Sequence, residues 1–196
     1  MVHQLLPVAL LLLAIPNTPL IAQTATPNQI PGLEQKLSIT EASADKAVLG
    51  NELSFAWQKK DPAKAVQYAG EAYKWAMESG SNREAMIALN LLGDAVLRQN
   101  NYPNAEKAYR DALEQAKKTA DREMEARALH NMGKLAQRNE NPDQAVVLYE
   151  QAFQIREQIG DQAGLSSTTQ NLAVLYKQRN DYEKSNLYYH RALQLK

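Results

Sequence analysis

The sequence predicts an all-α solenoid of stacked helix pairs, on three observations. The stretch Ala85–Lys118 recurs at a spacing of 40, so that Gly93 falls on Gly133 and Ala173, Ala105 on Ala145 and Ser185, Tyr109 on Tyr149 and Tyr189, and Ala112 on Ala152 and Ala192. Within each unit apolar residues keep a helical period, as Leu89, Leu92 and Val96 do, and again Leu129, Met132 and Ala136. Turn signals return with the same spacing at Lys60-Asp61-Pro62, Asn100-Asn101-Tyr102-Pro103, Asn139-Glu140-Asn141-Pro142 and Arg179-Asn180-Asp181-Tyr182. A long fixed period holding two helix-length patterns is the mark of units that bury their apolar faces against one another.

Met1–Ala22 stands apart from the repeats. It contains no Asp, Glu, Lys or Arg, and its apolar run from Leu5 to Ile15 is interrupted only by Pro7. Such a run is too short to cross about 30 Å of hydrocarbon as a helix. It matches the apolar region of a secretory signal peptide, residues 1–22, with cleavage expected before Gln23 and export to the periplasm or the exterior. Val2-His3-Gln4 lacks the usual basic residue, so an uncleaved anchor or a cytoplasmic tail is the alternative. Residues 23–37, with Pro27, Pro31 and Gly32 among polar side chains, read as a linker with at most one helical turn near Glu34.

Ser38-Ile39-Thr40-Glu41 has capping-box spacing and predicts the first stable helix. The solenoid is therefore expected over 38–196, with repeats at about 46–85, 86–125, 126–165 and 166–196. Asp61, Asn101, Asn141 and Asp181 are expected N-caps, because their side chains can accept the unpaired N–H groups of a helix start. Ser79-Gly80-Ser81, Thr119-Ala120-Asp121 and Ile159-Gly160-Asp161 supply stops between pairs. Eight helices in four antiparallel pairs follow.

Gly93, Gly133 and Ala173 mark positions where a paired helix approaches closely, with Ala105, Ala145, Ala112, Ala152 and Ala192 opposite them and Tyr109, Tyr149 and Tyr189 filling space between pairs. The first unit departs from this row. Shifting its first helix by one residue makes Leu53 the apolar position, Ser54 the small one and Trp57 a core residue matching Val96 and Tyr176, with a turn one residue shorter before Asp61. Ala69, where the other units have Tyr, is expected to face solvent at the end of the array.

The order of these residues, Leu-Gly, then Ala, then Tyr three residues before Ala, resembles the tetratricopeptide repeat. Four units in register carry the resemblance from Lys46 to Lys196. The period exceeds the commonest one of about 34 and is similar to the long-helix variety of kinesin light chains and bacterial regulators. The resemblance implies a right-handed superhelix whose concave face, lined by the first helix of each pair, binds peptides or proteins. It places Ile87, Asn90, Asp94, Leu97 and Arg98 of the second repeat on that groove. From the third it takes Arg127, His130, Asn131, Lys134 and Arg138, and from the fourth Ser167, Gln170, Asn171, Val174 and Lys177. In relatives of this type an Asn two positions before the small residue holds the backbone of an extended peptide. Asn131 and Asn171 match that position, whereas Leu91 does not. Such an amide can equally bond to a neighbouring helix. The carboxylate clamp of chaperone-binding relatives is not reproduced, since its paired Lys and Asn positions fall on Asn90 and Asp94.

Charge and chemistry narrow the function. With 22 basic and 22 acidic residues the chain has no net charge, which gives no support to nucleic-acid binding. The absence of cysteine removes disulfides, thiolate metal sites and thiol nucleophiles. His3, His130 and His190 are scattered, and no phosphate loop, metalloprotease or serine-hydrolase motif occurs, so neither an enzyme nor a cofactor or metal is expected. On the groove, Arg98, Arg127, Lys134, Arg138 and Lys177 outnumber Asp94, which suits an acidic segment or a C-terminal carboxylate. Leu187, Tyr188, Tyr189, Leu193 and Leu195 crowd the last helix and make self-association or partner docking through that end the second expectation. The expected function is a non-enzymatic protein-binding module of the cell envelope. Its alternatives are a self-associating scaffold subunit and a sensor for an enzyme on another chain.

Overall fold

The computed structural model describes residues 25–194. Nine α-helices run through them: α1 Ile30–Ile39, α2 Ser43–Trp57, α3 Pro62–Ser79, α4 Asn82–Arg98, α5 Tyr102–Lys118, α6 Arg122–Arg138, α7 Pro142–Ile159, α8 Gln162–Gln178 and α9 Tyr182–Gln194. A 3-10 turn, Pro27–Gln29, precedes α1. Among the described residues there is no strand, and no helix is long and apolar enough to cross a membrane. The expected signal segment, 1–22, lies outside the described residues.

Four antiparallel pairs, α2–α3, α4–α5, α6–α7 and α8–α9, stack in chain order. The caps explain where each helix starts. Asp61 accepts from Ala63 N and Lys64 N, Asn101 from Asn104 N, Asn141 from Gln144 N and Asp181 from Lys184 N. Asp121 and Asp161 do the same for α6 and α8. The pairs therefore begin a few residues before the expected repeat boundaries, because their first turns are polar and do not show in the apolar period.

The one-residue shift of the first unit is visible in the backbone. Asn101 N, Asn141 N and Asp181 N bond back across five residues to Val96 O, Ala136 O and Tyr176 O, whereas Asp61 N bonds across four to Trp57 O. Asn100, Glu140 and Asn180 adopt positive φ in the longer turns, and the shorter turn needs no such residue. Trp57 is core, as that register requires.

Three expectations are corrected. Residues 30–39, read largely as linker, form α1, whose Ile30 and Leu33 pack with Leu53, Ala56 and Trp57 and cover the end of the first pair. Pro31 lies in the first turn of α1, where its missing N–H has no helical partner to lose. The supposed capping box does not start a helix, since Ser38 Oγ bonds to Gln35 O inside α1 and α2 begins at Ser43. Ala69 is fully buried rather than solvent-facing, packed with Met86, Ile87 and Leu91. At the matching positions of the next two pairs the rings of Tyr109 and Tyr149 lie against Gly93 and Gly133.

First helices touch directly, α2 with α4 and α4 with α6, while successive second helices do not pack extensively on each other. A stack whose members are closer on one side curves toward that side. The first helices therefore line the inner face and the second helices the outer one. Between α6 and α8 this direct approach is all but lost.

Candidate peptide-binding groove

The inner face rests on a row of buried polar side chains. Asn51 of α2 donates to Glu84 O at 3.1 Å and Glu84 Oε2 at 2.7 Å on α4. Gln58 adds a bond to Leu91 O at 2.9 Å. One repeat on, Asn131 Nδ2 donates to Asn90 Oδ1 at 3.0 Å, and Asn90 Nδ2 returns to Met86 O at 2.9 Å. In the third repeat His130 Nδ1 lies 3.1 Å from Thr168 Oγ1 of α8. Asn51, Asn90 and His130 occupy one position of the repeat, so each junction between first helices is fastened from the same place.

This row decides which expected groove residues can reach a ligand. Asn90 is 0% exposed and wholly engaged, so it has no face toward the groove. Ile87 and Leu97 are buried with the core. Asn131 is nearly enclosed, its Nδ2 on Asn90 and its Oδ1 3.5 Å from Lys134 Nζ. His130 faces the junction with α8. For Asn90, Asn131 and His130 the polar group at an inner-face position is taken up by a neighbouring first helix.

Above that floor, Asp94 accepts from Lys134 Nζ at 2.7 Å and from the Tyr109 hydroxyl at 2.9 Å. Burial, with Asp94 alongside, pushes the Tyr109 phenol far above its usual range, so it remains a donor. Arg127 is 9% exposed, and its burial draws the guanidinium down to about 10 while Asp94 and Glu123 act in the opposite sense. It therefore stays charged at neutral pH. Arg98, Arg138, Gln170 and Lys177 are exposed, and Asn171 is half-buried. Gln170 Nε2 donates to Ser166 Oγ at 3.4 Å.

Several residues outside the expected set shape the face. Arg83 bridges from α4 to Asp121 at 2.6 Å and Glu123 at 2.5 Å, at the start of α6. Arg156 of α7 is buried between the third and fourth pairs, where Ala76 and Ala116 hold the same position in earlier repeats. That break in the alanine row is legible in the sequence. The bonds made by Asn51 and Gln58 are not, because neither residue departs from a helical pattern.

At the last pair, Leu187 and Leu193 are exposed, and Tyr189 is 39% exposed, unlike the buried Tyr109 and Tyr149. Its expected packing between pairs is thus not seen. Tyr188 is half-buried, stacked on Tyr176 with ring centroids 5.7 Å apart. Leu195 lies outside the described residues. Among the described residues no group of three or more His, Asp or Glu is placed to hold a metal ion.

The tetratricopeptide repeat family model matches residues 54–118 and 124–196. The chain belongs to the tetratricopeptide repeat family. The structure of a Rap protein complexed with competence and sporulation factor matches 86% of this chain and 48% of its own, at 19% identity and a TM-score of 0.80. BtubC from P. vanneervenii matches 83% of this chain and 70% of its own, at 22% identity and 0.69. A Podosopora anserina protein described as a kinesin light chain with nearly identical TPR-like repeats matches 86% and 85%, at 14% identity and 0.63. This tetratricopeptide chain thus shares their fold, and it spans about half the length of that Rap protein. No curated protein matches it in sequence.

Proposed function

We propose that this tetratricopeptide chain is a non-enzymatic protein-binding module that holds an extended acidic segment along its inner face. The observation that carries this is the set of exposed cations at the ends of the first helices, Arg98, Arg138 and Lys177, while the acids Asp94, Glu84 and Glu123 of those helices are engaged by Lys134 and Tyr109, by Asn51 and by Arg83. Guanidinium groups grip carboxylates through two parallel N–H donors. Asn171 and Gln170, unlike Asn90 and Asn131, are open enough to hold a peptide backbone. The Rap protein complexed with competence and sporulation factor, which shares this fold, supports a protein or peptide partner in general terms. Export is part of the same reading and rests on the apolar run Leu5–Ile15.

The test is capture of a partner by the immobilised full chain beside the variant Arg98→Glu, Arg138→Glu, Lys177→Glu, whose changes fall on exposed positions. The native chain is expected to retain an acidic partner that the folded variant loses by at least about tenfold, with retention weakening as salt rises. Equal capture by both would contradict the groove reading. If both retain only further copies of this chain, self-association through α9, whose Leu187 and Leu193 stand exposed, takes its place.

A further inference from the structure

The junction between the third and fourth repeats is built unlike the other two. Asn51 and Asn90 fasten the earlier junctions with amides, which do not titrate. His130 fastens this one, with Nδ1 3.1 Å from Thr168 Oγ1. Arg156 lies behind it. Its Nη1 donates to Gly164 O at 2.6 Å and to Thr168 Oγ1, and stands 3.5 Å from His130 Nδ1. Its Nε has no hydrogen-bond partner and lies 3.5 Å from Asp161 Oδ2. First helices approach closely at α2–α4 and α4–α6 but not at α6–α8, so between these two first helices the polar side chains are the link, while α7 and α8 pack through Phe153, Leu165 and Leu172.

The two N–H groups of Arg156 Nη1 are taken by Gly164 O and Thr168 Oγ1, so Arg156 meets the ring at 3.5 Å as a buried cation, which disfavours an imidazolium whichever tautomer the neutral ring adopts. The charged and titratable groups around the ring are Arg127 and Lys134 on its own helix and Arg156 and Tyr149 on α7, with the Tyr149 ring 5.1 Å away. From α8 comes only the Thr168 hydroxyl. The nearby acids act on other cations: Asp161 and Glu123 on Arg156, and Asp94 on Lys134. No carboxylate among these neighbours bonds to the ring, so a proton added there meets cations.

We infer that the junction between α6–α7 and α8–α9 is a proton-operated hinge, held shut by neutral His130 and opened when that ring is protonated against Arg156. Burial first, then Arg156, Lys134 and Arg127, keeps the His130 pKa well below its ordinary value. A group with a depressed folded pKa contributes stability that is complete above its unfolded value of about 6.5 and is lost as pH falls through the folded one. Acidification therefore loosens the fourth repeat selectively. A segment bound across α6 and α8, as the proposed function has it, would be released by the same opening. The hinge itself does not rest on that reading.

The test is amide hydrogen exchange on the full chain at about pH 7.5 and about pH 5, corrected for intrinsic rates. Protection in α8 and α9 is expected to fall by at least about tenfold on acidification while α4 and α5 keep theirs. His130→Asn, which installs the residue found at Asn51 and Asn90, is expected to abolish that fall. Arg156→Ala, the residue of Ala76 and Ala116, is expected to shrink it and to move the His130 ring titration, followed by NMR, toward the ordinary range. An unchanged native profile, a loss shared by all four pairs, an equal loss in His130→Asn, or a ring titration indifferent to Arg156→Ala would each overturn the hinge.

Discussion

Replacing Tyr109 with alanine is expected to lower stability by about 3–5 kcal/mol, read from the denaturant midpoint at constant slope. The ring is fully buried, and its hydroxyl is held at 2.9 Å by Asp94. It lies on the face of Gly93, so that a methyl built there would stand 2.6 Å from Tyr109 Cδ1. Gly93→Ala alone therefore forces the ring out of place and is expected to cost about 1–3 kcal/mol, although alanine is the better helix former. In the Tyr109→Ala background the obstruction is gone. The same Gly93→Ala change is then expected to stabilise by about 0.5–1 kcal/mol, its helix-propensity gain. A reversal of sign between the two backgrounds identifies the glycine as a seat for the ring, and a cost that stays the same in both would refute it.

The second large effect concerns the buried amides. Asn90→Ala is expected to cost about 2 kcal/mol, because it leaves the Asn131 Nδ2 donor without its acceptor in a nearly enclosed site. Adding Asn131→Ala removes the orphaned donor, and the further cost is expected to stay below about 0.5 kcal/mol. Fully additive costs in that double-mutant cycle would mean that the two amides do not depend on each other.

Those two pairs also show what the sequence could and could not reveal. The helix starts were legible because Asp61, Asn101, Asn141 and Asp181 are the residue types that satisfy open N–H groups, and each does so. The altered register of the first unit was legible from Leu53, Ser54 and Trp57, and the shorter return bond to Trp57 O bears it out. By contrast α1 was hidden behind Pro31 and Gly32, which read as breakers when the first is only occupying a first turn. Ala69 misled because a small residue signals either an end or a close approach, and its packing against Met86, Ile87 and Leu91 of the next pair shows the second. The inner face could be read as a set of helix positions and not as contacts. Asn90, His130 and Gln170 stand in one register, yet whether an inner-face polar group meets a ligand or the next helix depends on the spacing of the stack, which no single repeat encodes.

The most direct measurement of the central claim, that the inner face is the binding face, is site-specific photo-crosslinking of the full chain to its captured partner. The probe is placed at Val174 on α8 or at Val147 on α7, both exposed. Adducts from position 174 and none from 147 are the expected result. Adducts from 147 alone would put the partner on the outer face and contradict it.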